Sequence, residues 1–183
     1  MPVPGYACRV VDETGREVPR GTSGPDRHQG PDRLQVLAEA RAAGRVREIR
    51  GWNVTGDVYI HDDDGYFWYQ CRSDDMIVTG GYKIPGPEVE HVLDEHPAVA
   101  ESAVVATPDA TRGFVPKAFV VLRPGFTATD ELVKELQDHV KKVLAPYKYP
   151  RQITFVPVLP HTETGKLRRV ELRQQEAGHA ARP

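Results

Sequence analysis

PEVEHVLDEHPAVAESAVVATPD, residues 87–109, decides how the second half of the chain folds. A proline followed by a glutamate opens this stretch, and both residue types favour the first turn of a helix. Val89, Val92 and Leu93 recur at helical spacing on one face, which predicts a short helix that ends near Pro97. From residue 98 the apolar residues crowd into a run of strand length, which predicts a strand directly after the helix.

Further elements follow toward the carboxyl end of the chain. VPKAFVVLRPG at residues 115–125 predicts a second strand. TDELVKELQDHVKKVL at residues 129–144 predicts an amphipathic helix with Thr129 as its N-cap. QITFVPVLP at residues 152–160 predicts a last strand, and the polar tail at residues 174–183 is expected to fray.

These elements predict a compact α+β or α/β unit over about residues 75–175, in which a short sheet is flanked by helices.

The stretches before residue 82 are rich in strand patterns. Residues 6–21 predict two short strands joined by the turn ETG, and residues 57–81 alternate apolar and polar side chains. The sequence DDDG within them predicts a tight turn with Gly65 at positive φ. A calcium loop is disfavoured, because its ligand spacing and closing glutamate are missing.

Composition excludes several classes of protein. The chain has 183 residues, 24 basic and 26 acidic, with a formal net charge of -2, which disfavours a nucleic-acid partner. Its apolar runs are far shorter than the roughly 20 residues that span a bilayer, and the amino terminus lacks a signal-peptide pattern, so a cytoplasmic location is expected. Cys8 and Cys71 stand outside any redox or metal-binding spacing, so we interpret both as ordinary thiols.

Three stretches carry a resemblance to a known family. Residues 51–90, YKYPRQITFVPVLP at residues 147–160 and TETGKLRR at residues 162–169 resemble adenylate-forming acyl-CoA synthetases. The motifs GWNVTGD at 51–57, GYFWYQCRSDDMI at 65–77 and APYKYPR at 145–151 are most similar to those of benzoate-CoA and 2-aminobenzoate-CoA ligases and of medium-chain acyl-CoA synthetases. This resemblance covers roughly residues 1–23 and 51–175. It implies an enzyme that converts ATP and a carboxylic acid to an acyl-adenylate, from which coenzyme A then displaces AMP.

The resemblance implies roles for three residues around the middle of the chain. Asp57 matches an aspartate that binds the ribose hydroxyls of AMP, although an aspartate after Gly56 also suits a simple turn. Arg72 matches an arginine that contacts the nucleotide, with an ion pair to Asp74 or Asp75 as the alternative. Asp74 matches the hinge residue about which the small carboxyl-terminal domain swings. Cys71 departs from the family, which usually has glycine there.

The resemblance also implies a catalytic residue and a coenzyme A site. Lys166 matches the mobile catalytic lysine, which bridges the acyl carboxylate and the α-phosphate, while an exposed lysine at a glycine turn is otherwise an ordinary solvated charge. Candidates for contact with coenzyme A are less specific, and solvated surface charge is the alternative for the charged ones. They are Gly80, Gly81, Tyr82, Lys83, Arg112, Lys141 and Tyr149.

Other family features have no counterpart in this sequence. The Ser/Thr/Gly-rich loop that holds ATP phosphates and the acid-binding pocket are missing, as is a ligand for the Mg²⁺ expected of a full enzyme. We therefore predict that residues 1–73 are the end of a large amino-terminal domain, that residues 74–183 are the mobile domain, and that the chain is incomplete and inactive alone. A stand-alone module that binds coenzyme A or a nucleotide, or another protein, is the alternative function. An adenylation domain serving a carrier protein is a third.

Residues 24–50 break the resemblance, because their composition turns abruptly to Arg, Gly and Ala. A compensated shift of reading frame across this stretch would restore a sequence similar to that of the family. The alternative is a genuine linker or exposed helix, since the stretch has fair helix propensity.

Overall fold

The computed structural model describes residues 7–12, 16–21, 35–39, 47–49 and 52–180. The chain divides into two compact units, residues 1–74 and 75–183, which we describe separately.

The first unit is built from β-strands. A four-stranded antiparallel sheet has the order β1-β2-β4-β3, with β1 at Cys8–Val11, β2 at Gln35–Glu39, β3 at Arg47–Ile49 and β4 at Trp52–Val54. The exposed helix considered for residues 24–50 is therefore wrong at β2 and β3, where backbone pairing in the sheet prevails over helix propensity. The rest of that stretch lies outside the described residues.

A hairpin completes the first unit. Strands β5 (Asp57–His61) and β6 (Phe67–Arg72) pair in antiparallel fashion, and the predicted turn between them has Gly65 at a φ of 86°. Asp62 stabilises this turn by accepting hydrogen bonds from the backbone N–H of Tyr66 and the indole N–H of Trp68. Of the strands predicted in residues 6–21, the first is β1, and the second is reduced to a bridge between Val11 and Glu17.

The second unit has the predicted α+β architecture. Strands β7 (Met76–Thr79) and β8 (Tyr82–Pro85) form a hairpin. Three further strands form a sheet in which β10 (Gly113–Leu122) lies between antiparallel β9 (Val99–Asp109) and parallel β11 (Gln152–Phe155). The last strand thus ends at residue 155, not at 160.

Three helices belong to the second unit, namely α1 (Gly86–Asp94), α2 (Asp130–Val143) and α3 (Arg169–Ala180). The predicted N-cap is confirmed, because the Thr129 hydroxyl accepts a hydrogen bond from the backbone N–H of Leu132 at 3.2 Å. The prediction of a frayed tail is wrong through residue 180, since α3 occupies it. Residues 181–183 lie outside the described part of the chain.

Two apolar clusters hold the second unit together. The larger joins α1 and α2 to the sheet through the apolar residues Val89, Leu93, Val104, Leu136 and Val140, all buried. A smaller cluster contains Ala103, Val105, Phe119, Leu159 and Leu172, and it attaches α3 and the segment before it to the other side of the sheet. Burial of these side chains is the main favourable contribution to folding of the unit.

Candidate functional site

Lys166 directly follows the turn of a tight hairpin, residues 161–167, which we call the lysine hairpin. Its two ends meet at a bridge between His161 and Leu167. The Thr162 N–H donates to the Lys166 carbonyl at 2.8 Å, and the Thr162 hydroxyl accepts from the Lys166 N–H at 3.0 Å. Gly165 has a φ of 78°, a conformation that glycine adopts without strain. The local hydrogen bonds therefore fix the backbone that carries the lysine.

The base of the lysine hairpin is anchored while its tip is exposed. Leu167 packs against the smaller apolar cluster, of which Leu159 is a buried member. The His161 ring lies 2.6 Å from a Glu101 carboxylate oxygen on β9. Lys166 itself is exposed, and within the described part of the chain its ammonium group makes neither a hydrogen bond nor an ion pair. The hairpin thus presents a solvated cation on a fixed support.

In the first unit, the structure brings Asp57 and Arg72 together. They are directly opposite each other on β5 and β6, and the Arg72 guanidinium lies 3.6 Å from the Asp57 carboxylate. Gly56 precedes the pair at a φ of 75°, and a methyl group there would come within 3.4 Å of Arg72 Nη2. The Asp57 side chain is 27% exposed and that of Arg72 is 57% exposed, so both can reach a ligand.

The ion pair considered as an alternative for Arg72 is present in part. Arg72 Nε lies 3.6 Å from Asp74 Oδ1, whereas the Asp75 side chain binds arginines of α3. Asp74 lies in a short 3₁₀ helix, Ser73–Asp75. Cys71 is completely buried on β6, so a small apolar side chain suits the position that usually has glycine.

Gly80 and Gly81 form the two-residue turn of the β7–β8 hairpin. Their φ angles are 52° and 85°, as required at both central positions of a type I′ turn. The Gly80 N–H donates to the Arg112 carbonyl at 3.4 Å, so the turn lies beside the loop that carries Arg112. The carboxylate of Asp109 shapes that loop by accepting the N–H groups of Thr111 and Arg112. Three of the predicted coenzyme A contacts therefore lie together.

Lys141 and Tyr149, two further candidates, form a second group. The Lys141 ammonium lies 4.4 Å from the centre of the Tyr149 ring, and the Arg151 guanidinium lies 4.2 Å from the same centre. Arg151 also donates a hydrogen bond to the Tyr149 hydroxyl. Two cations therefore contact the same aromatic ring. A salt bridge from Lys141 to Asp138 holds the pKa of that carboxyl below its usual range, mainly through the hydrogen bond.

The remaining candidates lie on β8. Tyr82 is exposed and stacks on Tyr147, with ring centres 4.4 Å apart. Lys83 is partly buried on the same strand.

Comparison with known proteins assigns most of the second unit to a family. The family model described as AMP-binding enzyme C-terminal domain matches residues 88–166, which extend from α1 to the exposed lysine. Residues 88–166 belong to the AMP-binding enzyme C-terminal domain family.

Relatives of this AMP-binding C-terminal domain are acyl-CoA synthetases. The chain is 45% identical over 184 residues to the mitochondrial acyl-coenzyme A synthetase ACSM3 of Homo sapiens, covering 96% of this chain and 31% of that protein. It is 46% identical to the mitochondrial acyl-coenzyme A synthetase ACSM1 of Mus musculus over 182 residues, again 31% of that protein. The chain thus spans about a third of the length of these relatives. They confirm the resemblance to acyl-CoA synthetases.

Solved structures give the same assignment. The anthranilate CoA ligase AuaEII in complex with anthranoyl-AMP matches with a TM-score of 0.77 and 38% identity, over 99% of this chain and 35% of that one. A benzoate CoA ligase from Burkholderia xenovorans LB400 matches with a TM-score of 0.69 and 37% identity, over 94% of this chain and 34% of that one. The α+β fold predicted for the AMP-binding C-terminal domain is confirmed by these neighbours.

Several residues beside the candidate site were missed by sequence reasoning. Tyr147 stacks on the predicted Tyr82, and Arg151 contacts the predicted Tyr149. The motif APYKYPR contains Tyr147 and Arg151. That motif was the available signal, since interleaved aromatic and basic residues suit a ligand that has a ring and phosphates. Asp75, Glu90 and Arg169 form ion pairs within the second unit, but their separation in sequence hides this.

Among the described residues, no helix has both the length and the apolar character needed to cross a membrane. Nor do these residues contain a group of three or more His, Cys, Asp or Glu side chains arranged to hold a metal ion.

Proposed function

We propose that this chain supplies the carboxyl-terminal part of an acid–CoA ligase that activates an aryl or medium-chain carboxylic acid with ATP. The observation that carries the proposal is the lysine hairpin within a domain of the AMP-binding family. The hairpin presents Lys166 to solvent while its base is bound to the domain core. Such a loop can deliver a positive charge to a substrate and withdraw it again.

Lys166 is the proposed catalytic residue of the first half-reaction. As the acid attacks the α-phosphate of ATP and pyrophosphate departs, negative charge grows on the phosphoryl oxygens. A lysine that bridges the acyl carboxylate and the α-phosphate stabilises this charge and holds the reactants in contact. A compact ammonium group on a flexible stem suits a charge that must enter and leave.

Asp57 and Arg72 are the proposed nucleotide contacts of the first unit. A carboxylate accepts hydrogen bonds from both hydroxyls of a ribose, and the Arg72 guanidinium at 3.6 Å orients the Asp57 carboxylate. The remaining N–H groups of Arg72 can donate to a phosphate or ribose oxygen. Asp74 is the proposed pivot between the adenylate-forming and the thioester-forming pose.

Gly80 and Gly81 are the proposed contacts for the pantetheine arm in the second half-reaction. A type I′ turn of two glycines exposes backbone without side chains, so a narrow thiol-bearing chain can pass closely. Arg112 beside that turn, together with the Lys141 and Tyr149 group, provides cations and a ring for the nucleotide end of coenzyme A. Tyr82 and Lys83 extend the same surface along β8.

A complete ligase also requires ATP-phosphate and acid-binding groups, and it would use Mg²⁺ with ATP. We assign none of these to the described residues and expect them on an additional amino-terminal domain. The cytoplasmic location stays a prediction, and the relatives named above are mitochondrial proteins. Nucleic acid is not a proposed partner.

The experiment replaces the matching third of the anthranilate CoA ligase by this whole chain and measures the half-reactions separately. Pyrophosphate release from ATP and anthranilate reports adenylate formation, and synthetic anthranoyl-AMP with coenzyme A reports thioester formation. Lys166→Ala is expected to slow adenylate formation by about 100-fold or more, as for loss of one charge-stabilising donor, with thioester formation within about twofold of wild type.

Lys134→Ala is the matched control, because Lys134 is an exposed lysine on α2 outside the proposed site. It should leave both half-reactions unchanged. Adenylate formation at the unaltered rate in Lys166→Ala would refute the assigned role. If the hybrid is inactive while the chain alone binds coenzyme A tightly in calorimetry, the stand-alone binding module is the better function.

A further inference from the structure

Asp75, the first residue of the second unit, is held by two arginines of α3. Arg173 Nη1 lies 2.8 Å from Asp75 Oδ1, and Arg169 Nη1 lies 3.6 Å from Asp75 Oδ2. Only 9% of the Asp75 side chain is exposed, so water competes little for these contacts. The backbone is confined as well, because a methyl group at Gly86 would meet the Asp75 carbonyl at 3.2 Å. The residue that directly follows Asp74 is therefore fixed to α3.

Arg169 also binds a second buried carboxylate. Its Nε donates to Glu90 Oε1 on α1 at 2.8 Å, and its Nη2 donates to Glu90 Oε2. The Glu90 side chain is 8% exposed and accepts the Val104 N–H of β9 at 2.7 Å. A planar guanidinium can engage two carboxylates at once, which a lysine at this position cannot do. We call Asp75, Glu90 and Arg169 the hinge clamp.

The hinge clamp adjoins the lysine hairpin. Arg169 is three residues beyond Lys166, and the Arg168 N–H closes the hairpin by donating to the Pro160 carbonyl at 2.8 Å. A single arginine side chain thus connects Asp75 to the segment that follows the hairpin, whereas the covalent backbone between them runs through α1, the sheet and α2.

We propose that Arg169 is a positioning residue that ties the lysine hairpin to the pivot, so that rotation of the backbone after Asp74 carries Lys166 as part of one rigid body. This proposal rests on the proposed function, since the position of Lys166 matters only if that residue reacts. A loosened clamp would leave the domain folded but spread the lysine over many positions, which slows the step that needs an aligned cation.

The first test measures amide hydrogen exchange by NMR in the full chain. Arg169→Lys keeps the charge but cannot bridge both carboxylates. Arg168→Lys is the matched control, because Arg168 is an exposed neighbour that forms its ion pair with the nearby Glu171. In Arg169→Lys, the amides of Thr162, Gly165 and Arg168 should exchange about tenfold faster relative to the α2 core amides of Leu136 and Val140. An equal change in hairpin and α2 amides, or none, would overturn the proposal.

The second test uses the ligase hybrid described above. Arg169→Lys should lower adenylate formation by about tenfold and leave thioester formation from ready-made adenylate within about threefold, while Arg168→Lys alters neither. Equal losses in both half-reactions would indicate a merely structural role and overturn the proposal. If the unaltered hybrid forms no adenylate, the proposed function fails, and the exchange measurement still decides whether the clamp holds the hairpin.

Discussion

Removal of the Glu176 carboxylate should destabilise the second unit by about 3 kcal/mol. Glu176 on α3 accepts a hydrogen bond from the Lys117 ammonium at 2.8 Å and from the Thr107 hydroxyl at 2.6 Å. Its side chain is 6% exposed and that of Lys117 is 16% exposed. Loss of one partner of a buried ion pair costs about 3–5 kcal/mol, because the other charge stays buried without compensation. Partial exposure of Lys117 places Glu176→Ala at the lower end of that range.

The chain allows the two units to be followed separately. Both tryptophans, Trp52 and Trp68, lie in the first unit, and the α-helices of the described residues all lie in the second. Urea unfolding followed by circular dichroism at the helix band should therefore show the loss, as a midpoint lower by about 2 M at a slope near 1.5 kcal/mol/M. Tryptophan fluorescence should keep its midpoint.

Gln175→Ala is the matched control, because Gln175 is an exposed polar residue on the same helix. It should change stability by less than about 0.5 kcal/mol. Apolar replacement of all three partners, with Thr107→Val, Lys117→Met and Glu176→Met, should recover most of the lost stability, since no buried charge is left behind. A loss below about 1 kcal/mol in Glu176→Ala, or an equal loss in Gln175→Ala, would refute the reasoning.

Two further predictions concern packing and pH. Gly86→Ala should destabilise the second unit strongly, because the new methyl group would lie 2.7 Å from the Val104 carbonyl oxygen. Gly178→Ala in α3 places its methyl group in open space and should stabilise the unit by about 0.5–1 kcal/mol. Thermal unfolding of the two variants, followed by the helical circular dichroism signal, checks this. Burial raises the pKa of Asp94 above its ordinary value of 3.8, although the Ser102 hydroxyl opposes the shift with a hydrogen bond at 2.7 Å. Because the pKa of Asp94 is higher in the folded than in the unfolded state, this group stabilises the fold fully below pH 3.8, and that stabilisation is lost as pH rises through the folded pKa. Asp94→Asn should therefore raise the melting temperature more at pH 7 than at pH 3.5. An equal or larger effect at pH 3.5 would contradict this.

The sequence predicted those parts of the fold that depend on near neighbours. The helix of residues 129–144 was found together with its cap, because Thr129 and Leu132 are three residues apart and the apolar stripe is regular. The turn at Gly65 was predicted with its positive φ, and a glycine turn was expected beside Lys166, because glycine itself marks turns. Family wording located Lys166, Asp57 and Arg72, and their assigned roles stay predictions.

What was missed depends on contacts between distant residues. Helix α3 buries only Leu172 and Glu176 among its described side chains, so its polar sequence indicated a frayed tail. Glu176 pairs with Lys117 across 59 residues of sequence, and Arg173 pairs with Asp75 across 98. The spacing of residues within one element carries no information about such distant pairs. The strands at residues 35–39 and 47–49 were missed for the same reason, since their pairing with β1 and β4 outweighs their helix propensity.

The order Lys166, Arg168, Arg169 shows how one short segment separates two uses of positive charge. Both arginines are bound to carboxylates: Arg168 pairs with Glu171 at 2.6 Å, and Arg169 bridges Glu90 and Asp75. Among the described residues Lys166 has no such partner, although Glu163 lies in the same hairpin. A planar, permanently charged fork suits the fixed contacts, because it holds several oxygens in one geometry. In the proposed function, a solvated lysine would lose no ion pair on moving to the substrate, so its full charge would be available for the developing negative charge.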